Sequence, residues 1–405
     1  MLKKTVKIAL AAAALTAAFS IYVAGLVPDN IYLSNGENPS IKSLPMIKLS
    51  AQHGGAEYVS GNKSSPLVYT AKLFGVLPVK EVNVQAQSVR TVSVAGTPFG
   101  IKMFSNGVMV VGFSDIQTAA GTRCPAKAAQ LKLGDVIIKL NGYSVQSNSE
   151  VEDFITQNGD RPVTVTFLRD GVQMQVQLVP VTDSTANVYR TGMWVRDSSA
   201  GVGTMTFYDV QQGMFAGLGH GIRDTDTQKD IPLLSGEIVP VRITGCTPSS
   251  NGEAGELKGV FTSEFPMGRV WANSTNGVYG SIFSAPCNNM MQVASPAQVQ
   301  TGPATILTTI SGTKPKEYEI VIEKVALTSS NQNKNMVVRI TDPELLENTG
   351  GIVQGMSGSP IIQNGRLVGA VTHVFVNQVT RGYAVFAQNM LFSMDNAARV
   401  YGAAG

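Results

Sequence analysis

Short runs of alternating apolar and polar residues, each closed by a two-residue turn signal, decide what this chain can fold into. Val163, Val165 and Phe167 alternate up to Asp170-Gly171, and Val172, Met174, Val176 and Leu178 alternate back. Pro360 to Gln363 reaches Asn364-Gly365, and Arg366 to Val371 returns. Asn141-Gly142 ends another apolar run. Asn-Gly and Asp-Gly supply the positive φ angles of tight hairpin turns, so each run reads as half of a hairpin. With 41 glycines and only 15% charged residues, the chain reads as mainly β, built of short strands. A length of 405 residues predicts two or three domains. An apolar content of 43% excludes a disordered chain. The net charge of +3, with no Lys/Arg block, leaves no electrostatic footprint for nucleic acid.

The N-terminus speaks to location. Lys3, Lys4 and Lys7 precede an apolar run from Ile8 to Val27, 20 residues broken only by Thr16, Ser20 and Tyr22. About 20 apolar residues span a bilayer, and positive charge on the leading side stays cytoplasmic. Residues 1–27 are therefore expected to be a cytoplasmic stub and transmembrane anchor, with the rest outside the cytoplasm. The rival is a cleaved signal peptide with a weak site at Val23-Ala24-Gly25. Residues 28–90 read as an irregular stem, with Gly54-Gly55 and Ser64-Ser65-Pro66 exposed and one strand within Leu73–Val84.

Residues 91–182 are more regular. Ser149 to Glu152 fits a capping box, after which Val151, Phe154 and Ile155 share a helix face. The segment KAAQLKLGDVIIKLNGYSV (127–145) resembles the core of a PDZ domain. That resemblance implies a carboxylate-binding loop at Phe99-Gly100-Ile101. Its backbone N–H groups would hold a peptide C-terminus while the peptide adds a strand to the sheet edge. The helix near Glu150 would be the other wall. A domain that only packs on its neighbour stays open as the alternative.

Residues 183–405 form a second globular unit. Gly236–Ile243, Tyr318–Val325 and Met336–Ile340 read as strands, which suits a β-barrel or sandwich. Gly355-Met356-Ser357-Gly358-Ser359-Pro360 resembles the nucleophile loop of chymotrypsin-like serine peptidases, with Met356 where that family has Asp. Its glycines let the N–H groups of Gly355 and Ser357 converge as an oxyanion hole. A lipase-type elbow fits poorly, because the fifth residue is Ser359.

A serine nucleophile needs a base, usually histidine. Of the three histidines, His53 lies in the stem and His373 on an apparent strand. His220 sits in the glycine-flanked turn Gly219-His220-Gly221, ahead of the serine, and is the favoured base. Asp342, following the apolar strand Val337–Ile340, is the favoured orienting acid, with Glu344 nearby. Asp224, Asp226 and Asp230 read as a solvated loop. Cys124, Cys246 and Cys287 contain no metal-ligand spacing. Cys246 and Cys287 are either a disulfide or free thiols. No metal or organic cofactor is called for.

Together with Gly192-Met193-Trp194-Val195-Arg196-Asp197-Ser198 and its continuation to Thr204, these features resemble the stage IV sporulation protein B (SpoIVB) family of serine peptidases. The resemblance spans nearly the full length and is weakest over 28–90. It places the family's Ser, His and Asp on Ser357, His220 and Asp342. It implies a protein/peptide substrate class that includes the chain itself and a membrane-protein regulator. It also implies action between the two membranes of a developing spore, leading to late sigma-factor activation. A non-catalytic PDZ scaffold with a degenerate barrel is the rival class, and an esterase with the same triad is a third.

Overall fold

The turn signals become hairpins at the expected places. Asn141-Gly142, Asp170-Gly171 and Asn364-Gly365 all have positive φ at both residues. The strands they join pair antiparallel: Val136–Leu140 with Tyr143–Ser144, Val163–Arg169 with Val172–Leu178, and Pro360–Gln363 with Arg366–Val374. The computed structural model describes residues 2–34, 39–51, 67–224, 226–229, 233–329 and 331–401. His53, Gly54-Gly55, Ser64-Ser65-Pro66 and Asp230 lie outside the described residues.

A helix occupies Leu2–Leu26. Among the described residues no helix is long and apolar enough to cross a membrane, so the expected anchor is not supported. Val23 and Val27 are buried in the core that follows. That core corrects the stem reading. Asn30–Ser34, Leu77–Gln87, Leu67–Leu73 and Ile47–Ala51 form a four-stranded sheet in that order. Ile31, Leu33, Tyr69, Ala71, Val82 and Val84 bury its inner face. Its parallel pair joins Asn30 to Asn83, a separation that local pattern does not reveal.

The PDZ-like unit stacks Val172–Leu178, Val163–Arg169 and Val136–Leu140 onto the far half of a long strand, Pro98–Phe113. The helix Asn148–Asn158 packs Val151 and Ile155 into its core. The capping box lies two residues before the expected pair. The Ser147 hydroxyl accepts from the Glu150 N–H, and the Glu150 carboxylate accepts from the Ser147 N–H.

Two six-stranded rings follow. The first runs Pro98–Phe113, Leu233–Thr247, Gly268–Ser274, Gly277–Ile282, Met214–Gly217 and Met193–Asp209, and pairing of the last with the first closes it. The second is a closed barrel of Gly302–Thr308, Lys316–Val325, Met336–Ile340, Arg381–Phe386, Arg366–Val374 and Pro360–Gln363. The helix Ala387–Tyr401 covers the junction, burying Met390, Leu391 and Met394 with Phe207 of the first ring and Val385 of the second. Strands Pro98–Phe113 and Met193–Asp209 each serve both the PDZ-like unit and the first ring.

That sharing overturns the expected carboxylate-binding loop. Phe99-Gly100-Ile101 lies near the start of the strand Pro98–Phe113, paired with Gly201–Gly203 on one side and Ile238–Pro240 on the other. Phe99 and Ile101 are core residues. A Cβ on Gly100 would meet the Phe261 ring at 2.5 Å. With both backbone edges paired, no N–H is left there for a peptide end. Cys124, Cys246 and Cys287 are free thiols, so the Cys246–Cys287 disulfide is not formed.

Candidate active site

The loop before Pro360 is shaped by its glycines. Gly355 has φ +94 and Gly358 φ +95, values that L side chains rarely adopt. A Cβ on Gly358 would lie 2.0 Å from the Thr204 carbonyl oxygen and 2.5 Å from the Leu218 nitrogen. Between them Met356 is fully buried in the second barrel's core. Burying such a side chain is worth about 1.5–3 kcal/mol, so hydrophobic anchoring stands where the digestive peptidases carry an aspartate.

The first ring then grips the loop. The Thr204 N–H donates to the Ser357 carbonyl at 3.0 Å, and the Thr204 hydroxyl donates to the Gly355 carbonyl at 2.7 Å. The Thr206 hydroxyl donates to the Gly358 carbonyl at 2.8 Å. Within the loop the N–H groups of Gln354, Met356, Gly358 and Ser359 all donate to carbonyls. Among the described residues those of Gly355 and Ser357 meet no acceptor. They are the two groups expected to form an oxyanion hole. The Ser357 hydroxyl donates to the Thr372 carbonyl at 2.7 Å.

His220 arrives from the strand Met214–Gly217. Leu218 has φ +66, an outlier for a bulky residue, and Gly219 has φ +68. This forced turn lays the imidazole beside His373, with ring centroids 4.8 Å apart. A Cβ on Gly219 would touch Thr372, so the base loop packs on the residue that holds the serine hydroxyl. His220 Nδ1 pairs with the Gly221 carbonyl at 2.8 Å; a carbonyl only accepts, so Nδ1 carries the proton and Nε2 the lone pair. Burial pushes the His220 pKa below the ordinary imidazole value; the Gly221 bond opposes that, and Arg223 adds to it. His373 is pushed down to about 4 by burial first, then by His220, Lys334 and Arg223. Both rings are thus neutral at pH 7.

The loops that carry Ser357 and His220 pack on each other, and His373 lies against His220; Asp342 does not join them. The Asp342 carboxylate caps the helix Pro343–Thr349, accepting from the Leu345 N–H at 3.0 Å and the Glu319 N–H at 3.3 Å. The Glu344 carboxylate pairs with Lys316. No carboxylate contacts His220 among the described residues. A Thr-Asp-Pro-Glu run after a strand is a helix-start signal, and that local demand claims the aspartate.

In the loop after His220, expected to be solvated, Asp226 is exposed but Asp224 is not. Asp224 is buried and paired with Arg196, which also holds Asp226 at 2.7 Å. Burial raises the Asp224 pKa, but the Thr227 N–H and hydroxyl and the Arg196 guanidinium outweigh it and hold the carboxyl below its usual range. Arg196 therefore ties the base loop to the strand Met193–Asp209. On the other side Asn273 clamps the loop: its Oδ1 accepts from the Ile222 N–H at 2.7 Å, and its Nδ2 donates to the Ile222 carbonyl at 2.9 Å. Sequence reading singled out neither Thr206 nor Asn273, because hydroxyl and amide side chains that serve distant backbone leave no local pattern.

Against this geometry the family comparison is decisive. The SpoIVB peptidase S55 family model matches residues 187–391, 205 of the 405 residues. The chain belongs to that family. A PDZ domain model matches residues 101–179. The SpoIVB-family match supports a serine peptidase, and the PDZ domain beside it makes the protein a PDZ-containing one. The search of curated proteins gives no match. Several solved structures are partly similar. The PDZ domain of the SdrC-like protein from Listeria monocytogenes is 19% identical, with 22% of this chain and 87% of that one covered at a TM-score of 0.19. The HtrA-type protease AlgW with a decapeptide is 10% identical, with 50% of this chain and 55% of that one covered at 0.30. This chain thus spans just over half of AlgW's length. Rv3671c from M. tuberculosis H37Rv, a serine-to-alanine mutant in an inactive form, is 11% identical, with 47% and 89% covered at 0.26.

Proposed function

We propose that this SpoIVB-family protein is a serine endopeptidase in which Ser357 is the nucleophile and His220 the general base. The observation that carries the reading is the convergence of a strained histidine turn on a serine loop with two unpaired N–H groups. For reaction, the Ser357 hydroxyl leaves the Thr372 carbonyl and turns to His220 Nε2. The oxygen attacks the scissile carbonyl carbon while Nε2 takes the proton. The Gly355 and Ser357 N–H groups receive the oxyanion. The imidazolium then protonates the leaving amine, and the acyl-enzyme is hydrolysed by water with the same base.

Family membership supports the wider reading: self-cleavage, then cleavage of a membrane-protein regulator that leads to late sigma-factor activation. The lysines at the start of the N-terminal helix support action outside the cytoplasm. The Ser357 hydroxyl bonded to a carbonyl favours one rival, a PDZ scaffold with an idle barrel. Labelling with a serine-directed phosphonate separates the two. Stoichiometric modification at Ser357 together with peptide hydrolysis is the expected result. An inert Ser357 in a folded protein that still binds peptide would establish the scaffold, and turnover of small esters without peptides would establish an esterase.

A further inference from the structure

We propose that a backbone carbonyl, that of Gly221, orients the catalytic imidazole in the place a carboxylate usually takes, and that Asn273 is the positioning residue that holds this carbonyl. The inference rests on the peptidase reading and deepens it. The Gly221 carbonyl and the Ile222 N–H belong to one planar trans peptide unit, so they point in opposite directions. Asn273 Oδ1 grips that N–H at 2.7 Å, which turns the carbonyl away from Asn273 and onto His220 Nδ1 at 2.8 Å. The Asn273 amide group also donates to the Ile222 carbonyl, so the next peptide unit is fixed as well. The amide orientation is unambiguous, since only its oxygen can face the N–H and only its nitrogen the carbonyl. Gly221 permits the approach: a Cβ there would lie 2.9 Å from the Ser274 carbonyl oxygen.

The result is a relay of Asn273 oxygen, Ile222 N–H, Gly221 carbonyl and Nδ1–H. Each bond polarises the next. It fixes the tautomer that leaves Nε2 free for the serine proton, the task an aspartate performs in a triad. Among the described residues, the charged and titratable groups that act on His220 are His373 and Arg223, with Lys334 acting on His373, and none supplies a negative charge.

The test uses the full chain and three variants, Asn273→Ala, Asn273→Asp and Ser357→Ala. Asn273→Ala removes both clamps. The expected result is a fall in kcat of about 100-fold with KM nearly unchanged, because the base is misplaced while the substrate cleft is not. The acidic limb of the kcat profile moves to lower pH, because the Gly221 bond that raises the His220 pKa is weakened. Asn273→Asp keeps the acceptor for the Ile222 N–H and recovers most of kcat, and its added negative charge moves the limb to higher pH. A kcat loss without movement of the limb, or unchanged kinetics in Asn273→Ala, overturns the proposal. Nitrogen-15 NMR of the histidines in Ser357→Ala tests it without turnover. A proton on Nδ1 of His220 supports it, and a proton on Nε2 overturns it. Failure of the peptidase reading itself shows separately, as absence of phosphonate labelling in the wild type.

Discussion

The loop that carries Ser357 and the loop that carries His220 are both short and glycine-rich, yet different forces hold them. The serine loop is fixed from beneath and behind: Met356 is sunk in the second barrel, and Thr204 and Thr206 of the first ring hold its carbonyls. The histidine loop is fixed from its flanks by polar side chains, Asn273 on one and Arg196 through Asp224 on the other. Apolar anchoring and close backbone contact make the first insensitive to charge. An ion pair and an amide clamp make the second the part that pH and nearby substitutions reach.

The comparison is broken most severely at the reacting groups. Ser357→Ala and His220→Ala should each remove peptide hydrolysis to the same residual level, a loss on the order of 10⁶-fold in kcat, because the two act as a unit. Retention of most activity in His220→Ala would move the base to His373. Next come the two supports. Gly358→Ala drives a Cβ into the Thr204 carbonyl and should cost on the order of 3 kcal/mol by urea denaturation, whereas Gly245→Ala, with nothing within 4 Å, should stay within about 0.5 kcal/mol. Arg196→Ala should cost a similar amount by leaving Asp224 buried without its partner, while Asp226→Asn, at a half-exposed site, should be nearly neutral.

Smaller effects sharpen the division. Asp342→Ala should cost about 1 kcal/mol of stability as a lost helix cap, and Asp342→Asn, which can still accept from Leu345, should keep both stability and kcat. A kcat for Asp342→Asn as low as that of His220→Ala would restore Asp342 as the orienting acid. Stability also depends on pH. His373 titrates near 4 in the folded protein and near 6.5 when unfolded, so the unfolded chain binds the extra proton first. Its contribution is complete above pH 6.5 and is lost as pH falls towards 4. The urea midpoint should therefore drop between pH 7 and 5, and His373→Gln should lessen that drop.

What was legible in the sequence follows the range of the forces. Hairpins set by Asn-Gly and Asp-Gly are local and legible, and the glycines of the serine loop announce the positive φ angles found there. The four-stranded sheet within 28–90 is hidden in the sequence, because its parallel strands are about fifty residues apart and its alternation is broken at the Phe74-Gly75 turn. The PDZ resemblance implies a binding loop at Phe99-Gly100-Ile101; only the two strands beside it, from 201–203 and 238–240, show otherwise. Asp342 was chosen for standing on a rigid strand end, and that same position makes it a helix cap. The roles of Asn273 and Thr206 lie in bonds to distant backbone, which no spacing rule encodes.

Sharing of the strands Pro98–Phe113 and Met193–Asp209 between two units also sets the order of assembly. The half of the first strand within the ring finds its partners at 198–204 and 233–240, about a hundred or more residues later in the chain. Until those segments have emerged, Phe99, Ile101 and Met103 have no core to enter. Such distant pairings close slowly, since the entropy of the intervening chain is lost before contacts repay it. The serine loop, gripped by Thr204 and Thr206, can reach its working shape only after this ring has closed. The shape of the serine loop is therefore among the last features of the fold to form.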